Sequence, residues 1–268
     1  MAKIRRLTLG EWFLNYQLSH SWFSYHHLPF HLDIDVTLLV ERAELLGYRF
    51  SPTATVVKAA AQLLKERPQL NRMLFHTLTG MRIAEFEEIR VNMPVVIENN
   101  NDPVLSAMVF EGLLEKSVPQ IHQEIRAFSQ SDLSDKPIGR FVNSRGNHWW
   151  NRLFLRFIHF VAHRIPKAYA TRGGGISVTS LMRRNVQGIV MRGTAIGQTA
   201  LTFLVNNLQK TPDGRYILYV GVDNNHSVLE GDEYSEACSV FAQIIGEPDL
   251  DLFYPKGQPF VKVKEVAK

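Results

Sequence analysis

The sequence predicts one α/β domain, and three observations carry that prediction. Strand-like and helix-like segments alternate along the whole chain. No repeat, low-complexity block or long Pro/Gly/Ser linker divides it. At 268 residues the chain is long enough to bury a large core. A hydrophobic content of 45% with 21% charged residues is that of a soluble globular protein rather than a disordered one.

Residues 30 to 40 begin with alternating apolar and polar side chains and read as a strand running into a turn or helix. Ser51-Pro52 is a helix start, with serine at the N-cap and proline in the first turn. Val56, Val57, Ala60, Leu63 and Leu64 then share one helical face, and Pro68 closes it. Residues 89 to 98 form a strand, Asn99 to Pro103 a turn, and Val104 to Phe110 an antiparallel return. A polar helix follows around Leu113 to Phe128.

Residues 149 to 165 make an unusual helix, in which Arg152, Arg156, His159 and His163 form one narrow stripe and most other positions are apolar. Burial on most sides, in the core or at a subunit interface, is the expectation; contact with a lipid surface or a long acyl chain is the sharper alternative. Beyond it lie Arg172-Gly-Gly-Gly175 and strands at Ile176 to Leu181 and Tyr216 to Val222. A closing helix runs from Asp232 to Ile245, with Tyr234, Ala237, Cys238, Phe241, Ile244 and Ile245 inward, and Gly246 and Pro248 stop it.

The net charge of +4 is small and reads as scattered, which argues against a dedicated nucleic-acid binder and leaves room for anionic ligands. Cys238 is the single cysteine, so there is no internal disulfide, and a reducing, cytoplasmic setting fits. The N-terminal Lys3, Arg5 and Arg6 precede no uninterrupted apolar core, so no secretion signal is evident. No uncharged apolar run reaches the roughly 18 residues of a spanning helix.

The candidate for chemistry is His226-Ser-Val-Leu-Glu230-Gly231, between an apolar strand and the closing helix. An imidazole on a constrained turn can have the fixed tautomer that a general base needs. Taken alone, a histidine near a carboxylate is more often a structural hydrogen-bonding residue than a catalyst. Other sites are weaker. Gly175-Ile-Ser-Val-Thr179 lacks the last glycine of a nucleophile elbow. His20, His26, His27 and His31 have no metal-binding spacing, and no Lys-Ser or Lys-Thr follows Gly173 to Gly175 as in a phosphate loop.

In this setting the chain resembles the catalytic domain of the acyltransferases of 2-oxoacid dehydrogenase complexes, which share their fold with chloramphenicol acetyltransferase. That family's signature is a strand ending in His-x-x-x-Asp-Gly before a helix. Phe30 to Thr37 resembles its first core strand, and Ser51 to Ala60, with Pro68 and Asn71 beyond, resembles the helix that follows. Gly174-Gly-Ile-Ser-Val-Thr-Ser-Leu181 resembles its Gly-Gly-x-Phe-Thr-Ile-Ser-x-Leu-Gly strand, and the motifs occur in the family's order.

The resemblance implies a two-layer sandwich, a mixed sheet with helices on one side, assembled as a homotrimer. It implies transfer of an acyl group from a coenzyme A or acyl-carrier-protein thioester to a small thiol, hydroxyl or amine, with no tightly bound cofactor. His226 takes the role of base. Thr179 falls at the oxyanion hydroxyl, usually serine in the family, with Ser180 and Ser177 as neighbours in register. Glu230 stands for the usual aspartate that supports the histidine loop with Gly231, and Arg5 or Arg6 is its implied basic partner. Residues 1 to 268 read as one catalytic domain without a lipoyl or subunit-binding domain, hence a free-standing enzyme with helix 149–165 as an addition. The changes at Glu230 and Thr179 keep a second reading open, a trimeric scaffold that has lost the chemistry.

Overall fold

The computed structural model describes residues 9, 27–77, 80–97, 104–131, 148–164, 174–182 and 199–256. Strand β1 (His27–Asp35) leads into helices α1 (Thr37–Leu45) and α2 (Pro52–Glu66). Strands β2 (Arg72–Thr77), β3 (Gly80–Glu85), β4 (Val91–Ile97) and β5 (Val104–Phe110) follow, then α3 (Val118–Gln130) and α4 (Trp149–Arg164). The chain continues through β6 (Ile176–Ser180), β7 (Leu201–Lys210) and β8 (Tyr216–Asn225) to α5 (Gly231–Gly246) and the short α6 (Leu250–Phe253).

Six strands form one mixed sheet in the order β1-β8-β7-β6-β4-β5, while β2 and β3 pair as a separate hairpin. β4/β6 and β6/β7 are parallel; β1/β8, β7/β8 and β4/β5 are antiparallel. The parallel pairs require crossover connections, and α2, α3 and α5 pack together over one face of the sheet. Along β6, β7 and β8 every second residue faces these helices, so Ile176, Val178, Leu201, Phe203, Val205, Leu218, Val220 and Val222 join the core. Phe203 stacks on Phe241 of α5 at 4.0 Å.

α2 is the centre of the helical layer. Ala54 to Leu64 are all buried, because the sheet, α3 and α5 enclose the helix on several sides. Its buried Lys58 ammonium donates to the carbonyls of Leu113 and Leu114 at 3.0 and 2.9 Å, and burial lowers its pKa to about 8. These bonds account for a boundary shift. The sequence places the start of α3 near Leu113, but the helix begins at Val118, after the Ser117 N-cap, with the Ser117 N–H donating to the Gln120 side chain at 2.8 Å. Asp35 caps α1 through the Thr37 N–H at 2.9 Å, and Arg42 of α1 pairs with Asp251 to secure α6.

Three features were not anticipated from the sequence: the β2/β3 hairpin, the short helix α6, and β7, the strand that joins β6 to β8 and carries a bulge at Val205/Asn207. The expected burial of residues 149–165 is also not what the chain itself provides. α4 packs on β2 and buries Asn151 and Leu155, but Trp149, Trp150, Leu153 and Phe157 are 61%, 63%, 51% and 62% exposed.

Candidate active site

His226 follows the last residue of β8, in a turn that the backbone and one amide side chain tie down. The Asn225 carbonyl accepts from the N–H groups of Val228 and Leu229 at 2.7 and 3.1 Å, and its side-chain oxygen accepts from Ser227 N–H at 3.1 Å. Val228 and Leu229 are buried, which leaves His226 on the exposed outer side of the turn. Its Nδ1 lies 2.9 Å from the Leu229 carbonyl oxygen. A carbonyl only accepts, so Nδ1 carries the proton and, in the neutral ring, Nε2 holds a free lone pair. That tautomer is the one a general base needs.

The start of α5 follows directly. Glu233 accepts from the Glu230 N–H at 3.2 Å and from the Arg72 guanidinium at 2.5 Å, so the ion pair that anchors this turn joins residues 161 positions apart. A carboxylate in the first helical turn also meets the positive end of the helix dipole. Glu230 is exposed and makes no ion pair among the described residues; Arg5 and Arg6 lie outside them. Gly231 is exposed, with open space where a Cβ would stand. The sequence reading missed Arg72 and Glu233, since nothing in their local spacing links them.

The Gly-Gly strand is fixed by the residue next to Arg72. Asn71 accepts from the Gly175 N–H at 2.9 Å and donates to the Phe86 and Glu88 carbonyls at 2.8 and 2.9 Å. Asn92 donates to the Gly174 carbonyl at 2.9 Å. Both glycines are required by close approach. A Cβ on Gly174 would stand 2.0 Å from the Arg90 carbonyl oxygen, and one on Gly175 would stand 2.4 Å from Arg72 N. The Asn71-Arg72 dipeptide thus positions both halves of the candidate site, β6 through its amide and the histidine turn through its guanidinium.

Along β6 the alternation separates the candidate hydroxyls. Ser180 shares the helix-facing side with Ile176 and Val178, and its Oγ accepts from Thr53 of α2 at 2.9 Å. Ser177 and Thr179 face the opposite side of the sheet; Ser177 is buried and Thr179 half-buried. The strand register also separates Thr179 from His226. Ile176, Leu201 and Asn224 are aligned across the sheet, so Thr179 lies up-strand of Asn225 and two strands away. Standard strand spacings put their Cα atoms roughly 16 Å apart. Within one chain His226 and Thr179 therefore do not meet at one reacting carbon.

Beside the histidine turn, Asn224 and Asn225 are buried, and both amide atoms of Asn224 and the Asn225 Nδ2 have no hydrogen-bond partner among the described residues. Cys238 is no rival nucleophile, because burial pushes its thiol up to about 12. Of the histidine cluster, His20 and His26 lie outside the described residues, while His31 binds Asp33 at 2.8 Å and stacks on Tyr219.

A mixed sheet covered on one side by helices, with a histidine turn at the end of β8, defines the chloramphenicol acetyltransferase-like fold class. Solved structures agree. The dihydrolipoamide acetyltransferase of Azotobacter vinelandii is similar with a TM-score of 0.63 at 16% identity, over 94% of this chain and 93% of that one. In that enzyme the catalytic roles of a serine, a histidine and an asparagine four positions beyond the histidine have been investigated. A probable dihydrolipoamide acetyltransferase from Listeria monocytogenes is similar with a TM-score of 0.63 at 18% identity, over 96% and 98% of the two chains. A chloramphenicol acetyltransferase gives 0.50 at 13%, over 92% and 99%. No protein-family model matches the sequence, and no curated protein matches it. The chain thus has the fold of the catalytic cores of 2-oxoacid dehydrogenase acyltransferases.

Proposed function

We propose that this protein transfers an acyl group from a thioester of coenzyme A, or of an acyl-carrier protein, to a small thiol, hydroxyl or amine, working as a homotrimer. The observation that carries this reading is the Nδ1 bond of His226 to the Leu229 carbonyl, which leaves Nε2 as the proton acceptor on an exposed turn. Nε2 takes the proton of the acceptor, and the acceptor attacks the thioester carbonyl. The Thr179 hydroxyl of a neighbouring copy donates to the oxyanion, a role worth roughly 3 kcal/mol for a preorganised donor. Collapse breaks the carbon–sulfur bond, and the departing thiolate recovers the proton from His226.

The separation of His226 and Thr179 within one chain supports a site shared between copies. The Asn224 amide and the Asn225 Nδ2, which have no hydrogen-bond partner among the described residues, are groups that the acceptor or the neighbouring copy would satisfy. The Azotobacter enzyme bears an asparagine four positions after its histidine, the same spacing as Glu230 from His226 here, which supports a reading in which that position need not be aspartate.

The test is release of free thiol from a panel of acyl-CoA donors with candidate acceptors. Acceptor-dependent release is expected, and His226→Ala should lower it by about 10²- to 10⁴-fold without a change in thermal unfolding. Unchanged turnover in that variant would remove His226 from the chemistry. A monomer by sedimentation, still active, would remove the shared site.

A further inference from the structure

We infer that α4 is a docking helix for an anionic lipid surface, on which the protein lies without crossing the bilayer. This inference does not depend on the proposed acyl transfer. At about 100° per residue the helix divides into three sectors. Asn151 and Leu155 are buried against the body of the protein. Trp149, Trp150, Leu153, Phe154, Phe157 and Phe160 occupy a separate arc and are each between 44% and 63% exposed. Arg152 and Arg156 share the third arc, in line with the sequence positions of His159 and His163. The two tryptophans stack on each other at 3.5 Å at the start of the helix. Six large apolar side chains held outward on one arc are more than scattered surface hydrophobes, and a contiguous patch of this kind marks an interaction surface.

Charge identifies the partner. The excess of +4 is not scattered as the composition suggested. Residues 136–212 contain 12 Lys and Arg and no Asp or Glu, so of the chain's 30 basic and 26 acidic residues the remainder holds 18 and 26. A segment of +12 is thus set against a remainder of −8, and α4 lies inside the positive segment with Arg152, Arg156 and Arg164 and no carboxylate of its own. A symmetric pairing of two copies through α4 would bring two carboxylate-free basic helices together. Anionic headgroups are drawn to this carboxylate-free basic segment while the aromatic arc enters the acyl boundary, which is the arrangement of an interfacial helix. A length of 16 residues gives about 24 Å, short of the roughly 30 Å hydrocarbon layer, and no described helix is long and apolar enough to cross a membrane.

The test is flotation of the full chain with vesicles of phosphatidylcholine alone and of phosphatidylcholine with phosphatidylglycerol, alongside tryptophan emission. Co-flotation with the anionic vesicles, a blue shift of emission, and loss of both at high salt are expected. Phe157→Ser should weaken partitioning by roughly tenfold or more with an unchanged melting temperature, and Arg152→Gln with Arg156→Gln should weaken it on anionic vesicles. Failure of the unaltered chain to float with anionic vesicles would overturn the inference. So would equal binding to both vesicle types, or a fall in oligomer mass caused by Phe157→Ser with no vesicle binding, which would assign the face to a second copy.

Discussion

α4 and β6 are separated by eleven residues in sequence, yet they reverse the usual relation between polarity and burial. At the start of β6 the deciding groups are polar and buried: Asn71 and Asn92 hold the backbone of Gly174 and Gly175, and Ser177 is enclosed beside them. In α4 the large apolar groups point outward. The contrast shows what each class of side chain is for. A buried amide paired at both ends, as Asn71 is, fits only one register, so it specifies where β6 sits. Exposed aromatics contribute little to the chain's own core, so their presence on one arc points to something outside it.

The strongest way to break the β6 side of this contrast is Gly175→Ala. Its Cβ would stand 2.4 Å from Arg72 N and 2.7 Å from two Asn71 backbone atoms, none of which is the flexible end of a side chain. Overpacking of this kind typically costs about 1–3 kcal/mol and sometimes more, and here the obstacle is backbone that also carries the Arg72–Glu233 anchor. Loss of soluble folded protein, or a large fall in the urea midpoint, is expected. Gly231→Ala is the matched control: it meets nothing within 4 Å, and its midpoint should stay within about 0.5 kcal/mol of the parent. Equal effects of the two substitutions would mean that the Gly-Gly approach is not a steric requirement.

Asn71→Ala is the next largest perturbation. It removes three side-chain hydrogen bonds and leaves the Gly175 N–H and the Phe86 and Glu88 carbonyls in want of partners. At about 1 kcal/mol for each bond, with an added cost for buried groups left unpaired, the loss should be about 3 kcal/mol or more. Chemical denaturation measures it. In the same variant, thiol release should fall further than stability alone explains, because both halves of the proposed site hang from residues 71 and 72. A variant as stable as the parent would show that water or a backbone shift replaces the amide.

What the sequence disclosed, and what it did not, follows the same division. The histidine turn, the glycine strand, α2 and α5 were legible because their signals are local: a cap, a breaker, a period. The anchor of the histidine turn was not legible, since Arg72 and Glu233 are brought together only by the packing of α5 against the body of the fold. β7 escaped because its ten residues, buried at seven consecutive positions, lack the alternation that marks a half-exposed strand. The orientation of α4 escaped for the opposite reason. Its apolar composition implies burial, and only the accessible surface separates the stripe against β2 from the arc that faces outward.

The smallest expected effect on stability sharpens the α4 side of the comparison. Phe157 is 62% exposed, so replacing it with serine removes little buried area and leaves no cavity. The urea midpoint should change by less than about 0.5 kcal/mol, against several times that for Asn71→Ala. A residue that matters so little to the fold, yet whose loss weakens vesicle partitioning by roughly tenfold, is one whose apolar surface is used only in the bound state. Leu155→Ser is the internal contrast on the same helix, since that side chain is fully buried. It should lower stability by about 2 kcal/mol or more and release α4 from β2. If Phe157→Ser destabilised the chain as much as Leu155→Ser, the aromatic arc would be part of the protein's own packing and the distinction between the two regions would fail.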